Sequence, residues 1–239
     1  QYPLNTPKII IFESVYSMDG DVAPIKEIAD LAKVYNALTY LDEVHAVGMY
    51  GETGAGYSEL LGVEKEIDII QSTMAKGIGI IGGYIVSTEE IVDLVRSYAS
   101  GFIFTTALPP SIVAGCLASV NHIKKSSKER DLLHKRTEYL REKLEEYSIP
   151  VLPESSTHII PVIIGDSQKC KEASEELLNT FNIYVQPINS PTVEKGSERF
   201  RINATPNHTE EHIDHLCLAI NTVFNKLDIN KHEKQLLSS

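Results

Sequence analysis

The sequence predicts an α/β protein: a mostly parallel sheet with helices on its faces, followed by a small α+β domain. Three observations carry this expectation. Short β-branched runs alternate with amphipathic helical patterns through the first half, the order that builds parallel sheets. A polar interruption at Lys124–Glu129 breaks that rhythm. Beyond it the order becomes helix, strand, helix, strand, strand, helix, which suits a separate and smaller unit. The predicted parts are residues 1–126, 127–228 and a tail, 229–239.

The elements follow in order. "KIIIFE" (8–13) is a buried-type strand, and Pro24 at a first helical position opens a helix to about Tyr35. Ile25, Ile28, Leu31 and Ala32 are predicted to be its inward face. Strands "LTYLDE" (38–43), "IDIIQST" (67–73) and "GGYIVS" (82–87) lead into a helix through "TEEIVDLVRSYA". After "GFIFTTALPP" a helix opens near Ser111, and a second runs to about Tyr147. The second part reads as strand "THIIPVII", helix "SQKCKEASEELLNTF", strands "IYVQPI" and "RFRIN", and a helix from Thr209 to about Leu227. "DINKHEKQLLSS" has too little apolar content to pack.

Composition narrows the function classes. A net charge of -11 repels phosphate backbones, so nucleic acid is not an expected partner. No apolar run approaches the roughly 18–20 residues of a membrane span. Cys116, Cys170 and Cys217 are odd in number and form no C-x-x-C pair, which suits a reducing, intracellular setting and no structural zinc. Because the chain opens at Gln1 and its first methionine is Met18, it is expected to be a portion of a longer protein; any leader upstream would not be visible.

In "STMAKGIGIIGGY", Gly77, Gly79 and Gly82 spell G-x-G-x-x-G directly after Lys76. A dinucleotide loop needs those glycines between a strand and a helix, whereas here a second strand pattern follows. The remaining reading is a lysine at a strand end with small neighbours, Ala75 and Gly77, leaving room for a planar carbonyl compound to reach the amine. Asp42 ends the apolar strand "LTYLD", with His45 on the following turn. The carboxyl ends of parallel strands are where such sheets bind ligands. Taken singly, Lys76 reads equally as a surface lysine, while Asp42 reads first as a loop cap and His45 as a packed turn residue. A lysine amine and a carboxylate able to hold a pyridine nitrogen, on successive strand ends of one sheet, point together to pyridoxal phosphate.

Several segments, "ESVYSMDGD", "LTYLDEVHAVGMYG", "STMAKGIG", "RSYASGFIFTTALPPS", "THIIPVIIGD" and "IYVQPINSPTVEKGSERFRI", extend the pattern. From about Lys8 to Leu227 the chain resembles the 5-aminolevulinate synthase family, of the α-oxoamine synthase group among fold type I pyridoxal-phosphate enzymes. The resemblance implies an incomplete large transferase domain followed by the small domain. It implies that Lys76 binds the cofactor covalently and moves the glycine α-proton, that Asp42 holds the pyridine nitrogen, and that His45 meets the phenolic oxygen. Ser17 and Thr73 would line the cofactor. Thr105 and Thr106 would reach the phosphate in a partner subunit, making a homodimer with shared sites. Arg201 would bind the amino-acid carboxylate and Thr192 the acyl-CoA substrate, its hydroxyl suiting a succinyl carboxylate.

The implied reaction joins glycine to succinyl-CoA, giving 5-aminolevulinate, CoA and carbon dioxide in tetrapyrrole and haem synthesis. The compartment would be the bacterial cytoplasm or the mitochondrial matrix. Alternatives are a 2-amino-3-ketobutyrate CoA ligase or 8-amino-7-oxononanoate synthase type of acyl transfer, or a non-catalytic remnant. Departures from the family are Ala75 in place of glycine, Gly77-Ile78 in place of Ala-Phe, and "RINATP". The family's upstream phosphate-binding helix start and ring-stacking aromatic have no counterpart in this stretch. His208, His212 and His215 share a helix face, but "HTEEH" lacks the H-E-x-x-H order and its acids suit a solvated helix start, so no metal is expected. No cysteine precedes a proline, so a Cys-Pro haem motif is absent from the sequence given.

Overall fold

The structure, a computed structural model, describes Pro3 and residues 5–229. These fall into two compact units, one running to Tyr16 and including Val22–Arg130, the other holding Ser17–Asp21 and the chain from Asp131 onward.

The first unit contains β1 (Ile9–Glu13), α1 (Ile25–Tyr35), β2 (Leu38–Asp42), α2 (Tyr57–Leu61), β3 (Ile69–Thr73), β4 (Gly83–Ser87), α3 (Glu89–Tyr98), α4 (Ser100–Ile103) and α5 (Pro110–Lys125). Its sheet runs β1-β2-β3-β4. The first three strands are parallel, with Glu13 opposite Asp42 and Asp42 opposite Gln71. β4 turns back antiparallel, pairing Thr73 with Gly83, so the intervening residues form a closed loop at the end of β3. The predicted sheet is therefore mostly parallel, with an antiparallel edge.

One sheet face packs on α1, where Phe12 and Leu41 meet Ile25 and Ala29. The inward positions of α1 are Ile25, Ala29 and Ala32, spaced four and three residues apart, while Leu31 is exposed. At about 100° per residue Leu31 lies well round the helix from Ile25, which corrects the predicted inward face. On the opposite sheet face Ile9, Ile11 and Leu38 are exposed.

In the second unit α6 (Lys128–Glu146), α7 (Ser167–Phe181) and α8 (Glu210–Lys226) accompany β5 (Ile159–Ile163), β6 (Pro187–Ile188) and β7 (Arg199–Asn203). The antiparallel sheet runs β5-β7-β6. Its core joins Leu140 and Leu144 of α6 to Ile160, Leu177, Phe200 and Phe224. Only the end of the predicted strand 183–188 pairs. Ile183 N–H instead closes α7 on Leu177 O (3.0 Å), and Val185 O accepts from Ser174 Oγ (2.6 Å).

The division falls inside α6 rather than in the polar interruption, because the buried Arg130 donates to Ile123 O (2.8 Å) and Glu52 O (2.6 Å) of the first unit. Residues 230–239, most of the predicted tail, lie outside the described residues, whereas Ile229 is buried in the second core. The short segment 17–21 is gripped by second-unit groups. Gly20 O accepts from Ser156 N–H, Thr157 N–H and the Thr157 hydroxyl, and Arg199 donates to Asp19 Oδ1 at 2.5 Å.

Candidate active site

The lysine loop begins where β3 ends. Thr73 Oγ1 donates to Gly82 O (3.0 Å) and accepts from Ala75 N–H (3.2 Å), pinning both ends of the loop. Gly79 and Gly82 have φ of +77° and +127°, which accounts for two of the motif glycines as turn formers. Gly77 has a different reason: a Cβ there would lie 2.1 Å from Val47 O, so the lysine loop and the histidine turn approach as only glycine permits. Ile78 is the loop's apolar anchor, buried with Val47 and Cys116 beside Met74 and Ile80. Ser119 Oγ donates to Ile78 O at 2.8 Å.

Between these anchors Lys76 is exposed, and its Nζ lies 2.8 Å from Nε2 of the buried His45. With an ammonium as donor, Nε2 accepts and the imidazole proton sits on Nδ1. Asp42 is half-buried at the carboxyl end of β2, and its Oδ1 accepts from Val44 N–H at 2.8 Å. Asp42, His45, Thr73 and Lys76 thus belong to one strand-end region of the first unit.

The glycine-rich turn "GETGAG" (51–56) could be taken for a phosphate cradle, but the N–H groups of Thr53, Gly54, Ala55 and Gly56 already donate within the protein. Glu59 accepts from Thr53 N–H (3.1 Å) and Ala55 N–H (2.9 Å), and these hydrogen bonds hold its carboxyl below the usual range against the opposing effect of burial. Glu43 accepts from Tyr57 N–H (3.0 Å) and Ser58 N–H (2.8 Å).

The other predicted residues lie elsewhere. Thr105 and Thr106 follow α4 in an exposed stretch beside Phe104, which is 87% exposed. In the second unit, Arg201 Nε donates to Ser17 O (2.5 Å), joining those two predicted residues through the backbone of one. Thr192 is exposed and borders a 560 Å³ cavity with Met18, Asp19 and Arg199. Among the described residues no group of three or more His, Cys, Asp or Glu could hold a metal ion. His208 and His212 instead turn Nδ1 onto main-chain N–H groups of Thr205 (3.1 Å) and Thr209 (3.2 Å). No helix of the described residues is long and apolar enough to cross a membrane.

Sequence reasoning passed over Glu43, Gly77's close approach and Arg199. A signal for Glu43 was present in strand alternation: it shares the parity of the fully buried Leu41, opposite to Asp42, and so points to the packed face.

A mostly parallel sheet with a carboxylate at one strand end and a lysine just beyond the next defines an α/β architecture of the pyridoxal-phosphate transferase type. The chain is similar to a serine palmitoyltransferase from S. paucimobilis with bound PLP-myriocin aldimine, at a TM-score of 0.90 and 28% identity over 96% of this chain and 58% of that one. The chain belongs to the aminotransferase class I and II family, whose sequence model matches residues 2–220. It is 53% identical to the 5-aminolevulinate synthase of Rhizobium meliloti over 92% of this chain and 54% of the relative. To the mitochondrial 5-aminolevulinate synthase of Schizosaccharomyces pombe it is 52% identical over 96% of this chain and 41% of the relative. The chain spans about half the length of the curated relatives it matches.

Proposed function

We propose that this chain supplies the lysine-bearing part of a pyridoxal-phosphate-dependent 5-aminolevulinate synthase, which condenses glycine with succinyl-CoA and releases CoA and carbon dioxide. The observation that carries the reading is the Lys76–His45 pair beyond the parallel strand that ends in Asp42. Identity of 53% to a 5-aminolevulinate synthase over most of this chain supports that substrate pair over other acyl transfers.

The residues fit the cofactor. Lys76 presents an exposed amine that a planar aldehyde can reach, and Asp42 offers a carboxylate at a neighbouring strand end for a protonated ring nitrogen. When bound, pyridoxal phosphate supplies a ring that accepts the electron pair left at the substrate α-carbon. Lys76 binds the cofactor and takes the α-proton of glycine, Asp42 keeps the ring-nitrogen proton in place, and His45 orients the amine and meets the ring oxygen. Thr73 holds the loop that carries Lys76 and lines the cofactor with Ser17. Arg201 binds the glycine carboxylate and Thr192 the succinyl end of the thioester. Thr105 and Thr106, on an exposed apolar stretch, reach a partner's phosphate in a homodimer. Bacterial cytoplasm or mitochondrial matrix is the compartment this reading assigns, supported by relatives from bacteria and by relatives named as mitochondrial.

The test is covalent. Incubation with equimolar pyridoxal phosphate followed by borohydride reduction should place the cofactor's mass on the Lys76 peptide, and Lys76→Ala should abolish the label. Labelling spread evenly over other lysines, Lys65 included, would overturn the reading.

A further inference from the structure

The carboxylate of Glu43 is fully buried, and among the described residues its hydrogen-bond donors are neutral: Ser14 Oγ (2.5 Å), Tyr57 N–H (3.0 Å) and Ser58 N–H (2.8 Å). A buried charge is tolerated where hydrogen bonds replace its hydration, and each of these is charge-assisted. Room for it is made by Gly56, where a Cβ would fall 2.7 Å from the carboxyl carbon. The backbone of the same residue starts the histidine turn: Glu43 O accepts from Ala46 N–H (2.8 Å) and Val47 N–H (2.9 Å), and Glu43 N–H donates to Gln71 O (2.9 Å). One residue therefore joins the end of β1, the middle of β3 and the start of α2 to the turn that aims His45 at Lys76.

We infer that Glu43 is a positioning residue for the Lys76–His45 pair. Its catalytic meaning rests on the pyridoxal-phosphate reading above, but its effect on the lysine amine does not. Glutamine cannot replace it. One carboxylate oxygen serves Ser14 and Tyr57 and the other serves Ser58, so either orientation of an amide sets its NH2 against a main-chain N–H.

The experiment reads Lys76 in the cofactor-free chain by competitive acetylation at pH 7, with peptide mass spectrometry and the exposed Lys65 as internal reference. A hydrogen bond from the ammonium to His45 Nε2 slows acetylation, because the ammonium must lose its proton to react. Its loss in His45→Ala should speed Lys76 labelling by about fivefold, the worth of one such bond. Glu43→Gln should give a similar rise, and the double variant no more than His45→Ala alone. Ser14→Ala, which removes one of three donors, should give about a twofold rise and decides the matter should Glu43→Gln fail to fold. An unchanged Lys76 rate in the folded Glu43 or Ser14 variant, or effects of Glu43→Gln and His45→Ala that multiply, would overturn the assignment. Because no cofactor is present, a failure of the borohydride test leaves this result separately readable.

Discussion

The two units close their cores to different degrees. Among the described residues of the second, nineteen buried apolar residues form one cluster drawn from three helices and the sheet. Among those of the first, one cluster of seven gathers around Phe12, Ile25 and Leu41 and another of three around Ile78, while Ile9, Ile11 and Leu38 on the sheet and Val113, Leu117 and Val120 on α5 are exposed. The unit that carries Lys76 is thus the less closed. Its local geometry is fixed by other means: a glycine at 77 that lets Val47 O approach, a threonine that pins the loop, and a buried carboxylate that ties three elements. Precision at the lysine comes from hydrogen bonds and backbone approach, not from the depth of a core.

The largest effect should come from emptying each core at one aromatic. Phe200 is fully buried with its ring 6.3 Å from that of Phe224, so Phe200→Ala should cost about 3–5 kcal/mol. Phe12 is also buried, but β1 carries the exposed Ile9 and Ile11 and can settle into the space; Phe12→Ala should cost about 1–2 kcal/mol less. Urea titrations followed by hydrogen exchange read each unit separately, and the sequence has no tryptophan to confuse a tyrosine signal. Equal losses at the two sites would break the comparison.

A smaller effect tests where the segment 17–21 belongs. Gly20 has φ +69° and Gly62 has φ +67°, so alanine meets the same left-handed penalty of about 1–2 kcal/mol at both. The surroundings differ: at Gly62 a Cβ meets nothing within 4 Å, whereas at Gly20 it would lie 2.3 Å from Ile159 O, a β5 carbonyl. Gly20→Ala should therefore cost about 1–2 kcal/mol more than Gly62→Ala, with the loss seen in the second unit. If the two cost the same, the packing of Gly20 on β5 would carry no weight.

The sequence made the long periodic elements legible, as α1, α6, α7 and α8 show, since each buries one face on a core present in the chain. It also made the placement of Asp42 at a strand end and of Lys76 just beyond the next legible, because a lysine and an aspartate after apolar runs are conspicuous. Three things were not legible. The grip on residues 17–21 depends on Arg199 and Thr157, far along the chain, and no local pattern announces it. The strand at 183–186 gave way because the end of α7 claims its backbone groups. Glu43 was overlooked because an acid after an acid at a strand end looks solvated; only its parity with Leu41 places it inside.

The smallest effect concerns His208, which lies just before the start of α8 in the second unit. Burial, and next the neighbouring charge of His212, lower the His208 pKa from its ordinary 6.5. The geometry agrees, because Nδ1 accepts from Thr205 N–H at 3.1 Å and protonation there would set two donors face to face. A histidine with a depressed folded pKa binds fewer protons folded than unfolded. Its contribution is therefore kept above the unfolded value of 6.5 and declines as pH falls below it. Because the burial of His208 is only partial and solvent screens the rest of the side chain, the effect is small: a fall in Tm of about 1–2 °C between pH 7 and 5.5 attributable to this side chain. His208→Gln can still accept from Thr205 N–H through its amide oxygen, so the variant should show that much less pH dependence with little change at pH 7. An identical pH dependence in variant and wild type would mean that His208 titrates as freely in the folded unit as in the unfolded chain.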